Sequence, residues 1–250
     1  MLPFSIREIS VTPTIHLMRQ HCSIRKFTSQ AITPQQLAAI IDAAQSASTS
    51  SYLQCVSIIH VTDPALRDKL VQYTSNQSYV ASAAEFLVFC IDYHRHQQIV
   101  ADARLGYTEQ VLTGAVDAGL MGQNALLAAE SIGLGGVFIG AIRNHPAEVC
   151  ELLKLPEQVF PLFGLCLGWP DQTPDLRPRL PVSMVLHDNQ YQFNDSHLSD
   201  YNQRVSTYYA KRAGGGNKNL TWTDHVTAKL SKESRPFMLA ALHKQKLSVK

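Results

Sequence analysis

Cysteine is scarce in this chain and poorly arranged for cross-linking. There are five, Cys22, Cys55, Cys90, Cys150 and Cys166, an odd number at wide spacing with no Cys-x-x-Cys pair. That excludes a disulfide framework and a cysteine zinc site, and it fits the reduced thiols of a cytoplasmic protein. Long apolar runs are also missing. No stretch of eighteen apolar residues occurs, so no membrane span is expected. Residues 1–10, with Arg7 and Glu8, lack the apolar stretch of a signal peptide. An excess of one charge is absent as well: 22 basic against 20 acidic residues leave a formal +2, which favours neither nucleic acid nor an anionic membrane. There is no P-loop, no Gly-x-Ser-x-Gly and no internal repeat.

What remains is ample apolar content, 45% of 250 residues, enough for one core or two small ones. Thr33-Pro34-Gln35-Gln36 is a capping box with Pro at the first helical position, and Leu37, Ile40, Ile41 and Ala44 mark the apolar face that follows. Asp63-Pro64 opens a second helix in the same way. Apolar runs at residues 56–61, 86–93, 137–139 and 162–167 predict strands, most of them buried on both faces. Residues 108–132 predict a long helix apolar on nearly all sides (Val111, Leu112, Ala115, Val116, Leu120, Met121, Ala125, Leu126, Leu127), with Gly114, Ala118 and Gly122 permitting close approach. Such a helix must be covered all round, and packing against a second copy of the chain does that readily.

The texture changes at Ser196. Leu198, Tyr201, Val205 and Tyr208 mark an amphipathic helix ending near Arg212, and residues 213–219 (Ala-Gly-Gly-Gly-Asn-Lys-Asn) predict a flexible loop. Helix resumes at Trp222, and Arg235-Pro236 leads the last segment. The chain thus divides into an appendage (1–11), a core (12–195) and a helical C-terminal excursion (196–250), of α+β class.

Three lookalike motifs fail on context. Gly133-Leu134-Gly135-Gly136 with Gly140 imitates a dinucleotide loop, but it follows a helix and precedes a strand, so helix-capping glycine is the better reading. His94-Arg95-His96 has no carboxylate or cysteine to complete a metal set and is expected to be a solvated loop. His21 beside Cys22 suggests a thiol nucleophile, yet adjacent side chains rarely face one another.

Residues 21–27, His-Cys-Ser-Ile-Arg-Lys-Phe, are the most informative. His21, Arg25 and the hydroxyl of Ser23 lie together with no acid in the stretch, and Arg177-Pro178-Arg179 adds cations downstream. Fixed cations with hydroxyls suit a phosphate, because charge-assisted hydrogen bonds are the strong ones. The hydroxyls of residues 46–51 and the polar set Asn76-Gln77-Ser78-Tyr79 lie in turns, where ligand contacts concentrate.

Taken together, His-x-Ser-Ile-Arg-x-Phe, the Ser-rich turn, the Gly133 to Gly140 segment, Leu162-Phe163-Gly164-Leu165-Cys166-Leu167-Gly168-Trp169-Pro170 and residues 174–180 resemble the nitroreductase superfamily. The resemblance is nearer to its major oxygen-insensitive NADPH nitroreductases and the related NADPH–flavin reductase P. It runs from about Thr12 to the end. It implies a central, mainly antiparallel sheet flanked by helices, and an intertwined homodimer with one FMN per subunit at the interface. It further implies two-electron, ping-pong transfer from NADPH to nitroaromatics, quinones or free flavin. By position, FMN contacts fall on His21, Cys22, Ser23, Ile24, Arg25, Thr49, Ser51, Gln77, Phe138, Ile139, Gly140, Ala141, Arg177, Pro178 and Arg179. Substrate contacts fall on Ser51, Tyr52 and Arg235, and NADPH contacts on Arg212, Lys218 and the nearby acid Glu109. No metal is implied. Cys22 stands where the family usually has arginine, and Lys218 where arginines are usual. The alternatives are a flavin-binding or storage protein without turnover, and a thiol hydrolase built on Cys22.

Overall fold

The computed structural model describes residues 12–211 and 219–250. In chain order the helices are α1 Pro13–Arg19, α2 Pro34–Gln45, α3 Pro64–Tyr73, α4 Tyr79–Ser82, α5 His94–Ile99, α6 Thr108–Ser131, α7 Pro146–Leu152, α8 Leu198–Lys211, α9 Trp222–Leu230 and α10 Met238–Lys244. The strands are β1 Val56–His60, β2 Glu85–Asp92, β3 Gly135–Ile139 and β4 Val159–Gly168, in the order β1-β2-β4-β3 with every pairing antiparallel.

Local chemistry sets the helix ends. Thr33 Oγ1 accepts from the Gln36 N–H while Gln36 Oε1 accepts from the Thr33 N–H, closing the expected capping box. Asp63 caps α3 through the Ala65 N–H at 2.8 Å. Gly133, at φ +88°, ends α6: its N–H reaches Glu130 O and that of Leu134 reaches Ala129 O. The glycine run is therefore a helix cap, and β3 begins directly behind it.

The two central strands separate two cores. Leu87, Phe89, Leu165 and Leu167 pack under α2 and α6 with Ile40, Ala44, Ala118, Ala125 and Leu126. Phe86, Val88, Val137, Ile139 and Cys166 face the other way with Leu70, Val80 and Val149 of α3, α4 and α7. β2 and β4 are accordingly buried on both faces, as their sequences require. β1 is an edge strand and only half-buried. β4 starts three residues before its apolar run and includes Pro161. Pro161 sits beside a bulge that skips Leu162 in the β2 register, beyond the end of β3, where a missing N–H is tolerated. β3 gains Gly135 and Gly136, which pair with Gly168 and Leu167. A Cβ on Gly136 would lie 2.7 Å from Cys166 O, so no larger residue fits.

By its internal contacts the chain forms two units, residues 12–173 with Phe237–Lys250, and Pro174–Pro236. In the first, the chain end returns to the sheet: Leu247 is buried with Cys55, Ile91, Tyr93 and Phe160, and the Gln158 N–H donates to Gln245 O at 2.8 Å. In the second, Tyr201 of α8 meets Trp222 of α9 edge-on, and Asn202 and Thr223 exchange two hydrogen bonds. Among the described residues no helix is long and apolar enough to cross a membrane, and no His, Cys, Asp and Glu cluster could hold a metal ion.

Candidate functional site

After α1 the chain runs extended beside β3. The Ile24 N–H donates to Gly136 O at 2.9 Å, and the Ile24 side chain is buried against Gly135, where a Cβ would lie 2.5 Å from it. Ile24 is thus the anchor of residues 21–25, with its own N–H already used. His21, Cys22 and Ser23 are half-buried and Arg25 is exposed, with no ion-pair partner among the described residues. The fold corrects one expectation here: the cluster does contain an acid. Glu130, near the end of α6, lies 2.6 Å from His21 Nδ1. A carboxylate only accepts, so Nδ1 donates, which fixes the ring and turns Nε2 away from Glu130. Burial first, then the Glu130 carboxylate, push the Cys22 thiol above its ordinary pKa. Both causes weigh against Cys22 as a thiolate nucleophile.

The Ser-rich turn has a different anchor. The Ser50 N–H donates to both carboxylate oxygens of Asp117, at 3.1 and 3.3 Å, and Cys55 Sγ lies 3.6 Å from Oδ2. Asp117 is 2% exposed in the middle of α6. Thr49 is extended and half-buried, whereas Ser51 and Tyr52 are left-handed, and Tyr52 is 82% exposed.

At the far end of β3, Phe138 presents an exposed edge while Ile139 is buried; Gly140 and Ala141, half-buried, begin a short 3-10 turn. Phe138 meets Phe163 edge-on at 5.3 Å, and Phe163 stacks on Phe89. Gly122 makes the room: a Cβ there would lie 2.8 Å from Phe163 and 3.2 Å from Phe138. Gln77 is half-buried just before α4, behind the left-handed pair Ser75 and Asn76.

These residues do not all converge within one chain. Residues 21–25 are tied to Glu130 and the 49–54 turn to Asp117, thirteen positions apart on α6 and so about 20 Å along its axis. The face of α6 beside Asp117 is apolar and uncovered, with Leu112, Val116 and Leu120 at 58%, 61% and 46% exposure and open space around Gly119. In the second unit Arg177 donates to the Tyr209 hydroxyl at 2.6 Å, and its guanidinium lies over that ring. Arg179 donates to Arg177 O, and Pro178 O accepts from the Tyr201 hydroxyl. Arg177, Pro178 and Arg179 line a cavity of about 470 Å³ with Tyr201, Trp222 and His225. Arg235 is half-buried in the same unit, and Glu109 is exposed on the first turn of α6. Arg212, Lys218 and the glycines between them lie outside the described residues.

Sequence reasoning missed Asp117 and Glu130, although a carboxylate inside an otherwise apolar helix is itself a signal. It also misjudged residues 94–96. They form the first turn of α5, where Arg95 and His96 reach across to the 49–54 turn and β1 instead of lying in a solvated loop.

The comparisons agree with this architecture. Residues 18–169 match the signature of the nitroreductase family, and residues 177–250 that of its C-terminal domain. The chain is 56% identical to the oxygen-insensitive NADPH nitroreductase of Salmonella typhimurium and 53% identical to the NADPH-flavin oxidoreductase of Vibrio harveyi. Each match covers 94% of this chain and 98% of the relative. The solved structure of the Vibrio harveyi NADPH:FMN oxidoreductase complexed with NAD+ superposes with a TM-score of 0.89 at 51% identity, over 95% of this chain and 99% of that one. Nitroreductase A from Vibrio parahaemolyticus gives 0.90 at 52%, over 95% and 98%. With the antiparallel sheet, its flanking helices and both signatures in register, the chain belongs to the nitroreductase family.

Proposed function

We propose that this chain is an FMN-dependent NADPH oxidoreductase of the cytoplasm, working as a homodimer on nitroaromatics, quinones or free flavin. The observation that carries the reading is the division of the site into two parts on α6, with an exposed apolar stripe beside the Asp117 part. A two-fold axis near Gly119 to Gln123 that crosses two α6 helices antiparallel covers Leu112, Val116 and Leu120. It also brings the Asp117 end of one copy toward the Glu130 end of the other. Residues 21–25 of one protomer and the 49–54 turn of its partner then share one FMN.

The donor set fits that cofactor. Arg25 and Ser23, with His21 held by Glu130, offer charge-assisted and hydroxyl hydrogen bonds to a phosphate, and Glu130 is already engaged with His21. Thr49 and Ser51 suit the ribityl and phosphate, Gln77 the ring edge, and the backbone from Phe138 through Ala141 the reactive side of the flavin. The roles of Arg177, Pro178 and Arg179 toward the cofactor, and of Arg235, like those of Ser51 and Tyr52, toward the oxidant, rest on their match to the family's order of residues. When bound, FMN supplies two-electron hydride chemistry. The protein's part is to hold it and to admit NADPH and the oxidant in turn, which is ping-pong operation.

A visible spectrum tests the reading. The purified protein should show a flavin band that bleaches on NADPH addition under argon. A band that stays overturns it in favour of a flavin store, and no band overturns it as well.

Two substitutions test individual roles. Cys22→Arg restores the family's cation and should tighten FMN. One charge-assisted bond is worth about 1.5–3 kcal/mol, and Glu130 holds the gain to the lower end by competing for the new guanidinium. Equal or weaker FMN affinity by titration would contradict it. Arg212→Ala should raise KM for NADPH about tenfold, or about 1.4 kcal/mol, and leave kcat with NADH nearly unchanged. Only NADPH carries the 2′-phosphate. A variant that keeps its preference for NADPH reads that phosphate elsewhere.

A further inference from the structure

The turn at residues 49–54 adopts a shape its sequence does not favour. Ser51, Tyr52 and Gln54 have φ of +50°, +58° and +51°, and no glycine is present to make the left-handed region inexpensive. Such a conformation persists only where surrounding structure imposes it. Three side chains from outside the turn do so. Asp117 of α6 takes the Ser50 N–H on both oxygens. His96 of α5 meets Leu53 O through Nε2 at 2.7 Å. A carbonyl only accepts, so Nε2 carries the hydrogen, and Nδ1 is buried without a partner among the described residues. Arg95 donates to Gln54 O at 3.1 Å and to Ser57 Oγ at 2.7 Å, and its guanidinium is steadied by Asp92 at 3.3 Å. The rim of the turn is thereby clamped at Ser50, Leu53 and Gln54, and the clamped arc displays Ser51 and the exposed Tyr52.

We propose that Asp117, Arg95 and His96 are positioning residues that hold this turn in the shape in which Ser51 and Tyr52 meet the oxidant. The proposal rests on the functional reading above, which gives Ser51 and Tyr52 that contact. None of the three need touch ligand. Their contribution is to fix a short loop beforehand, so that ordering it costs no binding energy when the oxidant arrives.

The test uses FMN-loaded His96→Phe and Arg95→Ala, with His96→Gln as the conservative variant, since its side-chain amide can still donate to Leu53 O. Hydrogen exchange of a peptide spanning residues 49–54 should quicken about tenfold in His96→Phe and Arg95→Ala while the β2 and β4 peptides stay protected. KM for a nitroaromatic oxidant should rise roughly fivefold or more with kcat changed less than twofold, and His96→Gln should restore both readouts. Wild-type exchange and KM in His96→Phe and Arg95→Ala overturn the proposal, as does failure of His96→Gln to restore them. Tyr52→Ala separates this from the reading beneath it. A raised KM in Tyr52→Ala alongside unchanged exchange in the other two variants sinks the clamp alone. A wild-type KM in Tyr52→Ala sinks the assignment of the oxidant to this turn.

Discussion

Leu120→Glu is expected to yield a folded monomer that has lost its FMN. Leu120 lies on the exposed stripe of α6, between Val116 and Gln123, and is 46% exposed in the single chain. Its loss should therefore leave the fold intact. In the proposed dimer the residue sits close to the two-fold axis, so the change enters twice. Each copy forfeits the burial of the exposed half of a leucine, roughly 1 kcal/mol, and two carboxylates must be desolvated near one another. Together these should weaken association by a factor of roughly a thousand or more. Because each FMN is held by groups from both copies, the flavin should leave with the partner. Light scattering and the flavin absorbance of the same sample read both effects. A dimer that persists, or a monomer that keeps its yellow colour, would contradict the assignment.

Arg67→Ala should cost about 3 kcal/mol of stability or more. Arg67 is buried at the first turn of α3, and its guanidinium donates to four backbone carbonyls: Val61 at 2.8 Å, Ala81 at 3.3 Å, Ala83 at 2.6 Å and Ala84 at 3.2 Å. Burial pushes its pKa down, with Glu85 opposing that shift. Three chain segments, the end of β1, the end of α4 and the entry to β2, are tied together by one side chain. Alanine leaves all four acceptors without their donor and opens a cavity. For a chain of this size the midpoint of thermal unfolding should fall by roughly 6–12 °C. Lysine should recover little, since an ammonium lacks the planar fork that spans the carbonyls. A loss below about 1 kcal/mol would show that water replaces the guanidinium at no great cost. Gln77 lies two residues before α4, so weaker FMN retention should accompany the lost stability.

What the sequence revealed and what it concealed divide along a physical line. Features set by neighbours in the chain were legible: the Thr33 box, the Asp63-Pro64 start, Gly133 as a helix cap, and the alternation of Phe86 and Val88 against Leu87 and Phe89 that buries β2 on both faces. Features set through space were not. Glu130 lies 109 positions from His21 and Asp117 lies 67 from Ser50, and no local pattern announces either partner. Pro161 and the glycines of β3 fall outside the apolar runs at 162–167 and 137–139, because only a bulge and a close backbone approach give each a place in the sheet. The α6 helix shows both sides of this division. Its all-round apolar character was plain, and in one protomer only one side of it is covered.

The most direct test of the composite site mixes two variants that each fail alone. Arg25→Glu and Ser51→Glu each set an anion against the phosphate, so each homodimer should bind FMN poorly. If every site takes residues 21–25 from one protomer and the 49–54 turn from the other, a mixed dimer holds one doubly altered site and one intact site. Unfolding and refolding the two together should then restore about a quarter of wild-type FMN binding and NADPH-driven activity, as random pairing of protomers dictates. No recovery, in a sample where mixed dimers are demonstrated, would place both groups in the same protomer's site and contradict the account.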